Sequence, residues 1–178
     1  IIALFIARNR KQVLGIMVTG STLLVIMAVY LTVSYITDRA AGATGPMLYT
    51  ASMMWYEPLN IHYSVGVDGI SEAMLCLSAI IVFTGTFTSW KIEPLTKEFF
   101  LWFCLLSIGV FGFFIATDLF TMFMFYEVAL IPMFLLIGIW GSGRKEYSAM
   151  KLTLMLMGAS AFLLVGILVG LTGVVGIL

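Results

Sequence analysis

Charge is scarce in this 178-residue chain: nine Lys and Arg and nine Asp and Glu make up 10% of it and cancel to a formal net charge of zero. Soluble domains carry about a quarter charged residues. With 62% of the residues hydrophobic, the composition therefore excludes a water-soluble globular domain, and the same apolar richness excludes disorder. No basic surplus exists, which excludes nucleic acid as a partner, because neutralising phosphates takes a surface of unopposed cations. Cysteine is equally sparse. Cys76 and Cys104 stand apart in apolar runs with no Cys or His beside them. That excludes a disulfide framework, a zinc site or an iron–sulfur ligand set on this chain, and both read as buried small hydrophobes. The single histidine, His62, has no second imidazole to pair with and reads as a loop residue. A G-x-G-x-x-G, a P-loop and a helical His pair are also missing, so the chain holds no nucleotide, flavin, haem or metal by any motif it carries.

What is abundant is apolar sequence in runs of spanning length. Crossing roughly 30 Å of hydrocarbon takes about twenty mainly apolar residues in a helix, whose backbone groups are satisfied internally. Residues 13–36, 73–90, 99–117, 119–140 and 152–178 qualify, and residues 1–7 read as the tail of a further span. An apolar run that meets Arg8 only at its end is the reverse of a secretory signal. Both ends of the sequence fall inside such runs, so the chain reads as a piece of a longer protein. The prediction is an all-α, polytopic transmembrane helix bundle forming a single membrane domain.

Basic residues orient the spans, since Lys and Arg near span ends stay on the cytoplasmic side. Arg8, Arg10 and Lys11 precede the first complete span, Lys91 and Lys97 follow the second, and Arg144, Lys145 and Lys151 follow the fourth; the intervening loops hold only Arg39. The long stretch 37–67 and the turn at Asp118 are thereby predicted on the outer face. That stretch mixes Gly42, Gly45, Pro46 and Pro58 with Trp55, Tyr56 and Tyr63, as backbone at headgroup level does. Within it Ile61, Tyr63, Val65 and Val67 alternate with smaller or more polar residues, which predicts a short strand, half of a hairpin. Asp68 and Glu72 at the start of the next span read as a helix cap and a first-turn acid facing the positive dipole end. Gly109 with Gly112, and the GxxxG of Gly166 and Gly170, predict close helix contacts.

Glu127 is the residue that points to chemistry. It is the ninth residue of the run 119–140, roughly 13 Å from the nearer end. An ionisable side chain at such depth costs about 2.5 kcal/mol or more and is as a rule functional. Desolvation disfavours the carboxylate, so the group is suited to take up and release a proton. Five residues on, Pro132 lacks the N–H that the Val128 carbonyl would accept and should kink the helix beside Glu127. A hydrated interior path is the expected surrounding; an acid merely bridging two helices is the alternative. Asp118 reads as the cap of the same helix, with a place on a proton exit path as its alternative. Lys151 reads as a lysine snorkelling to the headgroups, with inward proton delivery as its alternative.

The motifs Val67-Asp68-Gly69-Ile70-Ser71, Ala116-Thr117-Asp118-Leu119-Phe120, Phe125-Tyr126-Glu127-Val128-Ala129-Leu130-Ile131-Pro132-Met133 and Ile139-Trp140-Gly141 resemble those of the subunit M family of NADH-quinone oxidoreductase, respiratory complex I. The first is shared among antiporter-like subunits, including those of multisubunit cation/proton antiporters and membrane-bound hydrogenases; the stretch from Glu127 to Gly141 is the more specific. The resemblance implies a proton-translocating membrane-arm subunit without a redox centre, driven by partner subunits that hold NADH, flavin, iron–sulfur clusters and quinone. It implies other membrane-arm subunits, the lipid bilayer and protons as partners, and a bacterial inner membrane or an organellar energy-coupling membrane as location. It also implies that Glu127 pairs with a lysine on a following span, a role that does not pass to Lys151, and that inverted helix repeats surround a midplane site. A subunit of a multisubunit cation/proton antiporter or of a membrane-bound hydrogenase, and a non-pumping membrane scaffold, are the alternative readings.

Overall fold

The computed structural model describes Leu4 and residues 9–42, 45, 47–56, 61–93 and 95–175. Apart from Leu4, the expected first span 1–7 lies outside these residues, as do Arg8, Pro46, Pro58 and the side chain of His62. Helices dominate. In chain order they are α1 (Arg10–Ala40), α2 (Gly69–Thr88, continued by a 3-10 turn Ser89–Lys91), α3 (Thr96–Ile115), α4 (Leu119–Trp140) and α5 (Lys145–Val175). All five are long and apolar enough to cross a membrane. Strands β1 (Leu48–Tyr56) and β2 (Ile61–Val67) form a hairpin between α1 and α2.

Local chemistry accounts for where the helices begin. Asn9 opens α1, its N–H donating to Gln12 Oε1 at 3.3 Å, one arm of a capping box. Asp68 opens α2, its Oδ1 accepting from the Ser71 N–H at 2.6 Å. Asp118 opens α4, its Oδ2 accepting from Phe120 N at 3.0 Å and Thr121 N at 3.4 Å. The turn at Asp118 is so short that α3 and α4 run antiparallel.

The alternating segment is β2, paired antiparallel to β1 with Ala51 opposite Val65 and Met53 opposite Tyr63. Between Leu48 and Ala51 the register shifts, and Tyr49 there has φ of 54°. Beyond its partner strand, β2 reaches the turn between α3 and α4: Thr117 N donates to Ser64 O at 3.0 Å, and Val65 bridges Ala116. Gly66 lets that contact form, since a Cβ there would lie 3.0 Å from Thr117 Cγ2 and 3.1 Å from Thr50 Cγ2. Ring contacts Trp55–Phe120 and Tyr63–Phe125, at 5.8 and 6.3 Å between centroids, seat the hairpin on the start of α4.

The helices alternate in direction, which sorts the charges. Arg10, Lys11, Lys91, Lys97, Arg144 and Lys145 lie at helix ends away from the hairpin, whereas Arg39 stands at the hairpin end. At the far end Arg10 forms an ion pair with Glu93 and donates to Trp90 O at 3.1 Å, tying α1 to the connection between α2 and α3. Beside it lies a core of Leu4, Val13, Leu14, Met17, Phe99 and Phe100. A smaller core of Tyr35, Val67 and Leu75 lies at the hairpin end. Large apolar side chains elsewhere point outward, Phe162 at 83% exposure among them. Such a surface is stable in lipid and not in water.

Gly109 and Gly112 make the α3–α4 contact. A Cβ at Gly109 would fall 2.7 Å from Ala129 Cβ, and one at Gly112 would fall 2.2 Å from the Phe125 ring. Gly166 and Gly170 behave differently: a Cβ on either meets nothing within 4 Å among the described residues. Gly109→Leu should overpack the seam and lower stability by about 1–3 kcal/mol, seen as a lower melting temperature of the full-length protein in detergent, while Gly166→Leu leaves that temperature unchanged.

The Ser71 N–H bound to Asp68 holds this carboxyl below the usual aspartate range. A depressed carboxylate stabilises the fold above its unfolded pKa and ceases to do so as pH falls through its folded one. Asp68→Ala should therefore cost about 1 kcal/mol at neutral pH and progressively less in acid, as a pH series of thermal melts would record.

Candidate functional site

Glu127 lies in the third turn of α4, and its Oε1 is sealed from solvent with no hydrogen-bond partner among the described residues. Pro132 is fully buried in the same helix, which runs unbroken from Leu119 to Trp140. Proline supplies no N–H, so the carbonyl one helical step below it, that of Val128, keeps an unused lone pair next to Glu127. The two features concentrate unmet polar capacity in the middle of an otherwise apolar helix.

Helix geometry shows which seam Glu127 belongs to. Gly138 is eleven residues further along, about three turns, and so shares its face. A Cβ at Gly138 would touch Ala149 Cβ of α5 at 3.7 Å. Counting the same interval from Ala149 along antiparallel α5 reaches Ser160, which is 7% exposed and donates to Met157 O at 3.0 Å. Glu127 and Ser160 thus share a level and a seam, and Ser160 is a polar residue whose part sequence reasoning missed. Beside it Gly109, Phe113, Tyr126, Leu130, Met133 and Leu156, from α3, α4 and α5, line an apolar cavity of about 320 Å³, which offers water few partners.

Chemically, a carboxyl in this state is incomplete in both of its forms. Ionised, it needs donors or a cation to offset desolvation; protonated, its O–H needs an acceptor. Asp118 sits at the α4 start with its Oδ2 engaged by two backbone N–H groups, the geometry of a cap. Lys151 is exposed on α5, two residues past Ala149 and hence more than two turns from the level of Ser160. The structure does not bring Asp118, Lys151 and Glu127 together at one point.

A second buried acid comes from the structure alone. Glu72, read from the sequence as a first-turn acid, is 4% exposed, with Oε1 2.5 Å from Thr32 Oγ1 of α1 and Oε2 buried without a partner. Its signal in the sequence was only its place four residues into an apolar helix, which a dipole-facing acid shares.

Comparison with known proteins gives this geometry a family likeness. Residues 116–177, which include α4 and nearly all of α5, match the family described as NADH:quinone oxidoreductase/Mrp antiporter, TM. The chain is 38% identical over 117 residues to NAD(P)H-quinone oxidoreductase chain 4 3 of Picosynechococcus sp., covering 66% of this chain and 21% of that protein. It is 37% identical over 107 residues to NADH-quinone oxidoreductase subunit M of Rhodobacter capsulatus, covering 60% of this chain and 21% of that one. The chain thus spans about a fifth of the length of these curated relatives. Its fold is similar to that of a chain in the membrane-bound sulfane sulfur reductase, an archaeal respiratory membrane complex, with a TM-score of 0.66 at 21% identity over 93% of this chain and 32% of that one. Through residues 116–177 and these relatives, this integral membrane chain is similar to the NADH:quinone oxidoreductase/Mrp antiporter family.

Proposed function

We propose that this chain is part of a proton-translocating membrane-arm subunit of an NADH:quinone oxidoreductase, with Glu127 as the proton carrier. The observation that carries the reading is the midspan carboxyl with its sealed, unpartnered Oε1. Similarity to the family supplies the context, because the relatives named above are subunits of quinone oxidoreductases. The hairpin end is proposed to face the outer, positive side, since the basic residues gather at the other end. The membrane is proposed to be a bacterial inner membrane or an organellar counterpart. Electron transfer, with its flavin, iron–sulfur and quinone chemistry, is assigned to partner subunits.

In this reading the chain's residues work by proximity of charge. A cation drawn toward Glu127 stabilises the anion and expels the proton, and withdrawal of that cation leaves a desolvated carboxylate that takes a proton up. Pro132 contributes a local gap in helical hydrogen bonding through which water or a neighbouring side chain reaches the Val128 carbonyl. Ser160 offers a hydroxyl at the same level across the seam. Events in partner subunits act by biasing this two-state element.

The family description also names Mrp antiporters, which supports a second reading: the same carboxyl exchanging protons against sodium without an electron donor. In inverted vesicles carrying the full-length subunit in its complex, Glu127→Gln should lower NADH-driven proton uptake while the complex still assembles. Undiminished uptake would refute the proposal, and sodium-dependent proton exchange without NADH would select the second reading. Loss of assembly with normal coupling in what does assemble would leave Glu127 a purely structural acid.

A further inference from the structure

We propose that Glu72 is a second proton-binding carboxyl of this chain, seated between α1 and α2 at the hairpin end and exchanging its proton with the aqueous phase on that side. Glu72 is the fourth residue of α2, about 6 Å from the helix start, so the route to that phase is short. Among the described residues, Glu72 and Glu127 own the buried side-chain oxygens that lack a hydrogen-bond partner. Buried hydroxyls nearby in sequence find theirs within their own helices, as Ser21 does on Val18 O at 3.1 Å and Thr86 on Val82 O at 2.8 Å.

Thr32 makes the site sensitive to one proton. Its Oγ1 lies 2.5 Å from Glu72 Oε1 and 2.9 Å from Ala28 O. A hydroxyl has a single proton to give, so it cannot donate to both oxygens. When Glu72 is protonated, its O–H donates to Thr32 Oγ1 and the Thr32 hydroxyl donates to Ala28 O, so both contacts are hydrogen bonds. When Glu72 gives its proton to water, leaving a carboxylate and a hydronium ion, the Thr32 hydroxyl turns to Oε1 and Ala28 O keeps only its backbone bond. The buried Oε2 weighs between these states, because a bare carboxylate oxygen is far more costly to bury than a neutral carboxyl oxygen. The structure as it stands therefore suits the protonated form.

From α1, Arg39 is bound to Gly45 O at 2.6 Å and to Tyr35 Oη at 3.0 Å, Asp38 accepts from Tyr49, and Tyr30 is 73% exposed. From β1, Tyr49 is held above its ordinary value chiefly by its hydrogen bond to Asp38. Asp68, on the strand-to-helix junction, is engaged by Ser71 N, while α3 presents Phe111, Phe114 and Ile115 to this core. The inference rests on these surroundings and holds whether or not Glu127 carries protons.

Infrared difference spectroscopy of the full-length protein in its complex, titrated with pH, tests it. The wild type should show a carboxylic-acid C=O band that Glu72→Gln removes, that Glu127→Gln retains, and that disappears as pH is raised. Thr32→Val should displace this band without removing it, and that shift decides the matter if Glu72→Gln does not assemble. Wild-type and Glu72→Gln spectra that coincide in the acid C=O region at every pH would overturn the proposal. A band lost only in Glu127→Gln would also overturn it while leaving the role of Glu127 intact.

Discussion

In hydrocarbon a polar group has no water to fall back on, and this one constraint organises the chain. It forces the backbone into helices that satisfy themselves, caps the helix starts with Asn9, Asp68 and Asp118, and returns the buried hydroxyls of Ser21, Thr86, Ser107 and Ser160 to carbonyls of their own helices. Against that background an acid without a full set of partners is conspicuous. Glu127 and Glu72 are both such acids, and they stand on different helices.

The two carboxyls sit in contrasting surroundings. Glu127 lies deep in α4, beside Pro132 and at the level of Ser160, on the face where Gly138 meets Ala149. Glu72 lies near a helix start, tethered to α1 by a hydroxyl that must choose between two acceptors. Glu127 stands nine residues into its helix, whereas Glu72 stands four residues into its own.

The hairpin ties the two regions together mechanically. Strand β2 leads directly into Asp68 and α2, and on its other side it is bonded to Thr117 and bridged to Ala116 at the start of the Asp118 turn. The aromatic contacts of Trp55 and Tyr63 with Phe120 and Phe125 extend that seat along the first two turns of α4. A displacement of α4 would thus be felt at the entrance to α2 through backbone hydrogen bonds and not only through side-chain packing.

Much of this was legible before any coordinates. Low charge and long apolar runs determined the membrane class, and the motif from Glu127 to Pro132 singled out the candidate site, because hydropathy, proline chemistry and depth along a helix are all local properties of a chain. Alternation likewise marked β2, while β1, Leu-Tyr-Thr-Ala-Ser-Met-Met-Trp-Tyr, carries no such period and emerged only through its partner. Nor could spacing alone tell that Gly109 and Gly112 meet α4 while Gly166 and Gly170 meet nothing among the described residues. The identity of Glu72 as a buried acid was decided by tertiary structure, since its partner Thr32 is forty residues away and burial is a property of the neighbours that folding brings, not of the residue itself.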